Sequence, residues 1–296
     1  MEAHKSPVFL YSILKVQWGY IVRQPGATAA QAAYILPPPT TVVGAFANPL
    51  ARILGVPDYT EKRRRIPLPV RNRYMECLLT STLAAGAGLV PSPKVNVGVV
   101  TYEEPSRIMG TPYKAGGSYQ AALKKPIYLS ITELLPVQAA GAASAPDGLV
   151  AIAWLFDIER LGHCMEVEVS LEDLERAAWG VYRLGSREGL SYPLLAGAAR
   201  GNDLDIISEG IYESLLYQDL SCASKRSGLT STVPLTGLDY VEREYIVPSG
   251  PIGGVNVITP PPEPPVFYIR EPGCRAAGVK VSFNGEDLNL YLAFRG

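Results

Sequence analysis

The stretch ILPPPTTVVGAFANPLARILG, residues 35–55, joins three consecutive prolines to a run of small and apolar residues. Prolines fix φ and keep the residues before them out of the helical region, so the chain arrives extended. Apolar residues then recur at helical spacing, at Val43, Phe46, Leu50 and Leu54. The pattern predicts a helix from Thr41 to Leu54, capped by Thr40 or Thr41 and ended by Gly55.

One side of this helix carries little side-chain bulk, because its residues are Gly44, Ala45, Ala47 and Ala51. Such a side lets the helix backbone lie close to a neighbouring surface. Two interpretations stay open here. The helix packs tightly on a sheet, which the residues alone favour, or it approaches a ligand.

Strand and helix patterns alternate on both sides of this helix. Residues from Val8 to Arg23 alternate as a first strand, whose outer face carries Tyr11, Lys15 and Gln17. The later patterns are strands at 94–102 and 118–131 that form a long hairpin, a strand at 149–156, a helix at 170–185 and a strand at 190–198. This order is typical of the split βαβ, or ferredoxin-like, fold that RNA-recognition modules share.

The chain beyond about Gly201 has a different composition, with short β-rich runs and a proline cluster at 260–265. The pair Asn284-Gly285 lies between two strand-like segments, which predicts a hairpin. We therefore expect an α+β protein. A ferredoxin-like (RRM-like) domain covers residues 1–200, with a protruding β-hairpin thumb inserted near 94–128, and a smaller β-rich region covers 201–296.

Composition and charge narrow the function classes. The 296 residues include 27 Lys+Arg and 28 Asp+Glu, so a nucleic-acid role requires positive charge concentrated locally. No stretch approaches the length of a membrane span, and the N-terminus lacks the features of a signal peptide. We expect a cytoplasmic protein that does not bind a membrane.

The four cysteines, Cys77, Cys164, Cys222 and Cys274, show no CxxC pair. A zinc site is therefore poorly supported. Buried free thiols are the expected state, and disulfides stay open for a hyperthermophilic source, where intracellular disulfides occur.

The most polarised stretch is EKRRRIPLPVRNRY, residues 61–74, whose cations are Lys62, Arg63, Arg64, Arg65, Arg71 and Arg73. Guanidinium groups suit bidentate phosphate contacts and base stacking, so this arginine tract is a candidate RNA-binding site. A solvated loop, or a patch that faces an acidic partner subunit, remains as an alternative.

Two looser sets of residues are further candidates for RNA contact. The predicted hairpin carries Tyr113, Lys114, Tyr119, Lys124 and Lys125. The motif RLGSREG, residues 183–189, places Ser186 and Arg187 between glycines, where backbone N–H groups and arginines can receive a phosphate. An exposed hairpin and a helix-terminating turn give the same patterns without any ligand.

A catalytic site is not evident in the sequence. RNA cleavage without a metal needs a general base and a general acid, usually drawn from His, Tyr or Lys. The two histidines are His4, near the N-terminus, and His163, after a loop-like RLG. No catalytic residue, metal ligand or cofactor is predicted, although Tyr and Lys can substitute for His and keep a nuclease open.

Four segments occur in an order that resembles the Cas-five family of CRISPR-associated proteins. They are the proline-rich entry, the small-residue helix TTVVGAFANPLA, the segment GSYQAALKKPIYL and the segment WGVYRLGSREGLS. The resemblance spans roughly Val8 to Ala198 and is nearest to the archaeal subtype A branch of type I systems. It implies a ferredoxin-like fold of the RAMP superfamily.

The resemblance also implies a function. Members hold the 5′ handle of the CRISPR RNA at one end of the Cascade complex, next to a Cas-seven family backbone subunit and a Cas-eight family large subunit. It adds Lys15, Gln17, Thr40 and Thr41 to the candidates for RNA contact. Alternatives are an endoribonuclease that processes CRISPR repeat RNA, a type III RAMP paralogue, and a purely structural assembly subunit.

Overall fold

The computed structural model describes residues 7–17, 19–20, 22, 34–56, 73–91, 99–104, 108–109, 135–136, 139–144, 148–185, 189–251 and 257–296, with backbone only for residue 73 and the strands between 99 and 144. The helices in these residues are α1 (Pro39–Leu54), α2 (Arg73–Ser81), α3 (Ile158–Met165) and α4 (Leu171–Trp179). None of these helices is both long enough and apolar enough to cross a membrane.

The same residues form nineteen strands. These are β1 (Pro7–Val16), β2 (Gly19–Tyr20), β3 (Thr82–Leu89), β4 (Val99–Glu104), β5 (Ile108–Met109), β6 (Leu135–Pro136), β7 (Ala139–Ser144), β8 (Leu149–Asp157), β9 (Ser191–Arg200), β10 (Asp205–Ile207), β11 (Ile211–Glu213), β12 (Gln218–Asp219), β13 (Ala223–Ser227), β14 (Thr230–Thr236), β15 (Glu242–Pro248), β16 (Val257–Ile258), β17 (Val266–Ile269), β18 (Cys274–Phe283) and β19 (Glu286–Arg295). The predicted α+β class is confirmed.

A four-stranded sheet with the order β3-β8-β1-β9 lies at the centre, and every neighbouring pair in it is antiparallel. Helix α1 lies between β1 and β3 in the chain, and α3 and α4 lie between β8 and β9. A β-bulge interrupts the pairing of β1 with the edge strand β9 after Ile13.

The two faces of this sheet bury different parts of the chain. One face packs Leu10, Leu14 and Trp154 against the helices. The other packs Phe9 and Ile13 against the C-terminal hairpin of β18 and β19. The prediction of a polar outer face on β1 is therefore wrong at Phe9 and Ile13, because both side chains are fully buried.

Helix α1 begins two residues earlier than predicted. Pro38 is the N-cap and makes no side-chain cap, and Pro39 occupies the first turn, so the predicted threonine cap is wrong. A proline at this position is favourable because its missing N–H has no helical partner anyway. The predicted end is confirmed, since Gly55 has φ 65° and its N–H donates to the carbonyl of Ala51.

The segment that leads into α1 is buried and tied to distant parts of the chain. The Tyr20 hydroxyl donates to the Ile35 carbonyl at 2.5 Å, and the Tyr217 hydroxyl donates to the Pro37 carbonyl at 2.9 Å. Pro37 has no N–H that burial would leave unsatisfied. The prolines thus suit a buried extended segment whose carbonyls are bound by tyrosines.

Helix α4 begins as predicted, with a reciprocal capping box between Ser170 and Asp173. It ends at Trp179, six residues before the predicted Gly185. Gly180 is the C-cap, and a Cβ atom there would lie 2.7 Å from the Cβ of Pro49 on α1. The two helices therefore pack closely at the end of α4, where only a glycine fits without a shift.

A second antiparallel sheet, with the order β16-β4-β7-β2, lies outside the central one. In it, β4 pairs with β7 from Val99↔Ser144 to Glu104↔Ala139. Residues 110–134 lie outside the described part of the chain, and so does the strand predicted at 118–131. The predicted 94–128 thumb remains an expectation.

The C-terminal hairpin of β18 and β19 turns at Asn284 and Gly285, with φ 53° and 84°. Two positive φ values are the requirement of a type I′ turn, so the Asn-Gly prediction is confirmed.

All four cysteines are paired, which makes the expectation of free thiols wrong. Cys77 on α2 bonds Cys164 on α3, and Cys222 bonds Cys274 at the start of β18. The partners are 87 and 52 residues apart in sequence, so spacing gave no indication of the pairing.

Candidate nucleic-acid interface

The end of β1 and the loop between α4 and β9 lie side by side. The Gln17 N–H donates to the Leu190 carbonyl at 3.0 Å, and Arg183 forms a β-bridge with Leu190. The Ser191 N–H donates to the Tyr182 carbonyl at 3.0 Å. These backbone contacts join the end of β1 to the two ends of the loop between α4 and β9.

A tyrosine with two arginines lies at this junction. The guanidinium carbon of Arg183 is 4.9 Å from the ring centroid of Tyr182, and that of Arg52 is 5.6 Å away. The Tyr182 hydroxyl lies 3.4 Å from Arg52 Nη2 and 3.5 Å from Asn48 Oδ1. Cation–π attraction therefore positions both guanidinium groups.

The small-residue side of α1 borders this cluster. It lines a groove of about 470 Å³ formed by Gly44, Ala47, Asn48, Ala51, Arg52, Gly55, Val56, Tyr74 and Met75. A Cβ atom at Gly44 would meet nothing within 4 Å, so packing between described residues does not require that glycine. The close packing is instead on the adjoining side of α1, where Pro49 meets Gly180.

The opposite face of the central sheet, on which Ile13 lies, adds a lysine and two tyrosines. Lys15 is directly opposite Tyr192 in the β1–β9 pairing, so both side chains point to the same face. Tyr192 is 41% exposed. The side chain of Tyr11 crosses the edge strand β9 at Gly197. A Cβ atom at Gly197 would lie 2.5 Å from the Tyr11 hydroxyl oxygen. Burial raises the pKa of Tyr11, and the charge of Glu175 raises it further.

We call the combined set the rim surface and define it as Lys15, Gln17, Arg52, Tyr182, Arg183 and Tyr192. Neither Arg52 nor Arg183 forms a salt bridge with another described residue. Guanidinium groups bind phosphates, and tyrosine rings stack on bases. The rim surface therefore has the chemistry of a single-strand RNA contact.

The predicted site residues fall into three groups. Lys15 and Gln17 belong to the rim surface. Thr40 and Thr41 are half-buried in the first turn of α1, about 17 Å along the helix axis from Arg52. The third group lies outside the described residues, except for Arg73, of which only the backbone is described. Its members are Arg63, Arg64, Arg65, Arg71, Arg73, Tyr113, Lys114, Lys124, Lys125, Ser186 and Arg187.

Sequence reasoning missed four members of the rim surface, Arg52, Tyr182, Arg183 and Tyr192. Tyr182 and Arg183 stand in the same segment as Ser186 and Arg187. An aromatic residue directly before an arginine was the sequence signal that could have indicated an RNA contact there. Arg52 is four residues after Asn48, which puts both on one side of α1. Nothing local indicates that α1 and this motif meet.

The histidine considered for catalysis does not lie in a loop. His163 is exposed in the last turn of α3, and His4 lies outside the described residues. Among the residues that the structure describes, no group of three His, Cys, Asp or Glu side chains is arranged to hold a metal ion.

Comparison with known proteins relates the chain to CRISPR systems, although no family model matches it. CRISPR-associated protein Cas5 3 of Saccharolobus solfataricus is 24% identical over 177 residues. The alignment covers 60% of this chain and 59% of that relative, so the chain spans about three fifths of its length.

A crystal structure of a CRISPR protein from Archaeoglobus fulgidus aligns over 98% of this chain and 99% of its own, with 13% identity and a TM-score of 0.52, which indicates a shared fold. A chain of a CRISPR RNA-guided surveillance complex aligns over 88% of this chain and 91% of its own at 13% identity, but its TM-score of 0.33 is too low to relate the folds. The chain is thus similar in sequence to a Cas5 protein over three fifths of its length and shares its fold with an archaeal CRISPR protein.

Proposed function

We propose that this chain binds the 5′ handle of a CRISPR RNA and caps the backbone of a type I surveillance complex. The observation that carries the proposal is the Arg52–Tyr182–Arg183 cluster beside the end of β1. It offers two cations and an aromatic ring on a surface built by three segments.

The chemistry fits a single-stranded RNA end better than a duplex. Unstacked bases can lie on tyrosine rings or guanidinium planes, whereas a duplex hides its base faces. Tyr182 and Tyr192 offer such rings, and Lys15, Arg52 and Arg183 offer phosphate contacts.

The fold we propose for the RNA-binding part is ferredoxin-like. The order β3-β8-β1-β9, with all neighbours antiparallel and the helices on one face, follows from a βαββαβ chain with two crossovers. The domain would cover 1–200, with the thumb near 94–128, and the β-rich region 201–296 would pack on its other face.

Other predicted contacts extend the same proposal. The arginine tract Arg63–Arg65 with Arg71 and Arg73 would add phosphate contacts, as would the hairpin cations and Ser186 with Arg187. The Cas-seven family backbone subunit and the Cas-eight family large subunit are the proposed neighbours, in an archaeal subtype A complex.

The test compares handle RNA with scrambled RNA of equal length on the assembled complex. Tighter binding of the handle sequence is expected, and equal affinity contradicts handle recognition. Incubation of the pure chain with repeat RNA in EDTA tests the nuclease alternative, for which a cyclic-phosphate product is the signature. His163→Ala is expected to leave RNA binding and assembly intact.

A further inference from the structure

The turn between β14 and β15 is built as a rigid projection. The Gly237 N–H donates to the Val241 carbonyl at 2.8 Å, and the Tyr240 N–H donates to the Gly237 carbonyl at 3.0 Å. Asp239 accepts from the Val241 N–H at 3.3 Å and pairs with Arg243 Nη2 at 2.5 Å. Backbone hydrogen bonds and the side chain of Asp239 thus both stabilise the turn.

The tip of this turn presents Tyr240 and Val241 to solvent, 60% and 55% exposed. Tyr240 has φ 62°, in the left-handed region where a bulky residue is rare and where Gly or Asn is the usual choice. A strained residue persists when its surroundings fix it, and such residues cluster at functional sites. The turn keeps a large exposed aromatic where glycine would be easier to accommodate.

The base of the projection is fixed to the core. Tyr34 and Thr236 join by a hydrogen bond between their hydroxyls, and Leu238 packs against the main cluster. Tyr245 of β15 meets Tyr217 edge-to-face, with ring centroids 5.1 Å apart. The tip is therefore held in place before any partner binds, which lowers the entropic cost of binding.

Charge indicates which partner this tip suits. The turn and the start of β15 carry Asp239, Glu242 and Glu244 against Arg243. Arg243 pairs with Asp239, and neither exposed glutamate forms an ion pair with another described residue. Asp219, from β12, adds to the negative field at Tyr245, next to the turn. This field repels phosphates and attracts lysine and arginine.

We propose that Tyr240 and Val241 form a docking tip that inserts into an apolar pocket rimmed by Lys or Arg on a partner protein of a different sequence. The tip is a protein contact, chemically opposite to the rim surface, whose cations suit RNA. It does not depend on the proposed RNA function, because its residues are separate from that surface.

A photo-crosslinking amino acid at position 240 tests the tip in the complex assembled with the proteins encoded beside this chain. The matched control is position 268, since Tyr268 is 42% exposed on β17. We expect a cross-link from position 240 to one partner protein. A cross-link from 240 to RNA, to a second copy of this chain or to nothing overturns the proposal.

Variants separate docking from folding. Tyr240→Gly removes the ring and relieves the left-handed strain, so it should keep or raise the unfolding midpoint while it weakens binding of the cross-linked protein at least tenfold. Glu242→Lys with Glu244→Lys should weaken that binding too, because both charges are reversed. Unchanged affinity in either variant overturns the proposal. If the wild-type chain docks but binds no RNA, the proposed function fails and the docking tip stands.

Discussion

A Cβ atom at Gly88 would lie 1.9 Å from the carbonyl oxygen of Leu215. The two backbones meet because β3 has no side chain at that position. Nearby, the Tyr217 N–H donates to the Ala87 carbonyl at 3.0 Å, which joins the segment after β11 to the edge of the central sheet. Small residues in β3 thus permit the C-terminal region to lie directly on the sheet.

We predict that Gly88→Ala lowers the free energy of unfolding by about 3 kcal/mol, because a methyl group there forces two backbones apart. The matched control is Gly44→Ala, where the added atom meets nothing within 4 Å. The variant at this half-buried helix position should gain about 0.5–1 kcal/mol. Urea denaturation of both variants measures the difference, and equal stability would contradict the backbone contact.

Local signals in the sequence predicted local structure well. The Ser170 capping box, the Gly55 helix end and the Asn284-Gly285 turn each follow from a few adjacent residues, and each is confirmed. The errors concern contacts between distant segments. Gly180 meets Pro49 of α1 where α4 ends, and Phe9 is buried because the C-terminal hairpin covers that face.

Only two of the six residues of the rim surface were predicted from the sequence, for the same reason. Strand alternation assigns Lys15 and Gln17 to one face of β1, and the family resemblance made both of them candidates for RNA contact. The approach of Arg52 to Tyr182 depends on how α1 packs against the segment after α4, which no local pattern encodes. The disulfide pairings are equally non-local, so the cysteine spacing could not reveal them.

Reduction of the disulfides should destabilise the chain strongly. The Cys77–Cys164 pair closes a segment of 87 residues, and the chain-entropy estimate for such a loop is about 4–5 kcal/mol. We expect a reductant to lower the free energy of unfolding by several kcal/mol, and less so in the Cys77→Ala/Cys164→Ala variant. Labelling of denatured, unreduced protein should detect no thiol, whereas four labelled cysteines would refute the pairing.

Stability should fall steeply at alkaline pH. Burial raises the pKa of Tyr20 and of Tyr217, the latter further through Tyr245 and Tyr20. Tyrosines of the unfolded chain ionise near pH 10, whereas these two stay protonated in the folded protein. Their contribution to the free energy of unfolding is therefore complete below pH 10 and is lost as the pH rises above it. Each group contributes up to about 1.4 kcal/mol per pH unit. Tyr20→Phe should make the decline in the free energy of unfolding between pH 10 and pH 11 shallower. Urea denaturation at each pH measures this decline.

The rim surface makes a quantitative prediction about salt. If Arg52 and Arg183 each neutralise one phosphate, Arg52→Gln with Arg183→Gln should reduce the log-affinity versus log-salt slope by about 1.4, since each single-strand contact contributes roughly 0.7. Arg63→Ala, Arg64→Ala and Arg65→Ala together should reduce it by about 2 if the arginine tract also binds phosphates. Handle and scrambled RNA should weaken alike, because phosphate contacts do not read bases.

Two variants show whether the effect belongs to this surface. Arg226→Gln removes an exposed arginine on β13 and should leave the slope unchanged. Tyr192→Leu leaves the Arg52–Tyr182–Arg183 cluster intact and removes an exposed ring, so it should weaken binding without altering the slope, because stacking releases no counterions. Fluorescence anisotropy between 50 and 200 mM salt measures all of these slopes, a range over which phosphate contacts dominate the change in affinity. An unchanged slope in the folded Arg52→Gln/Arg183→Gln variant would place both guanidinium groups outside the RNA path, and the proposed interface would then have to lie elsewhere on the chain.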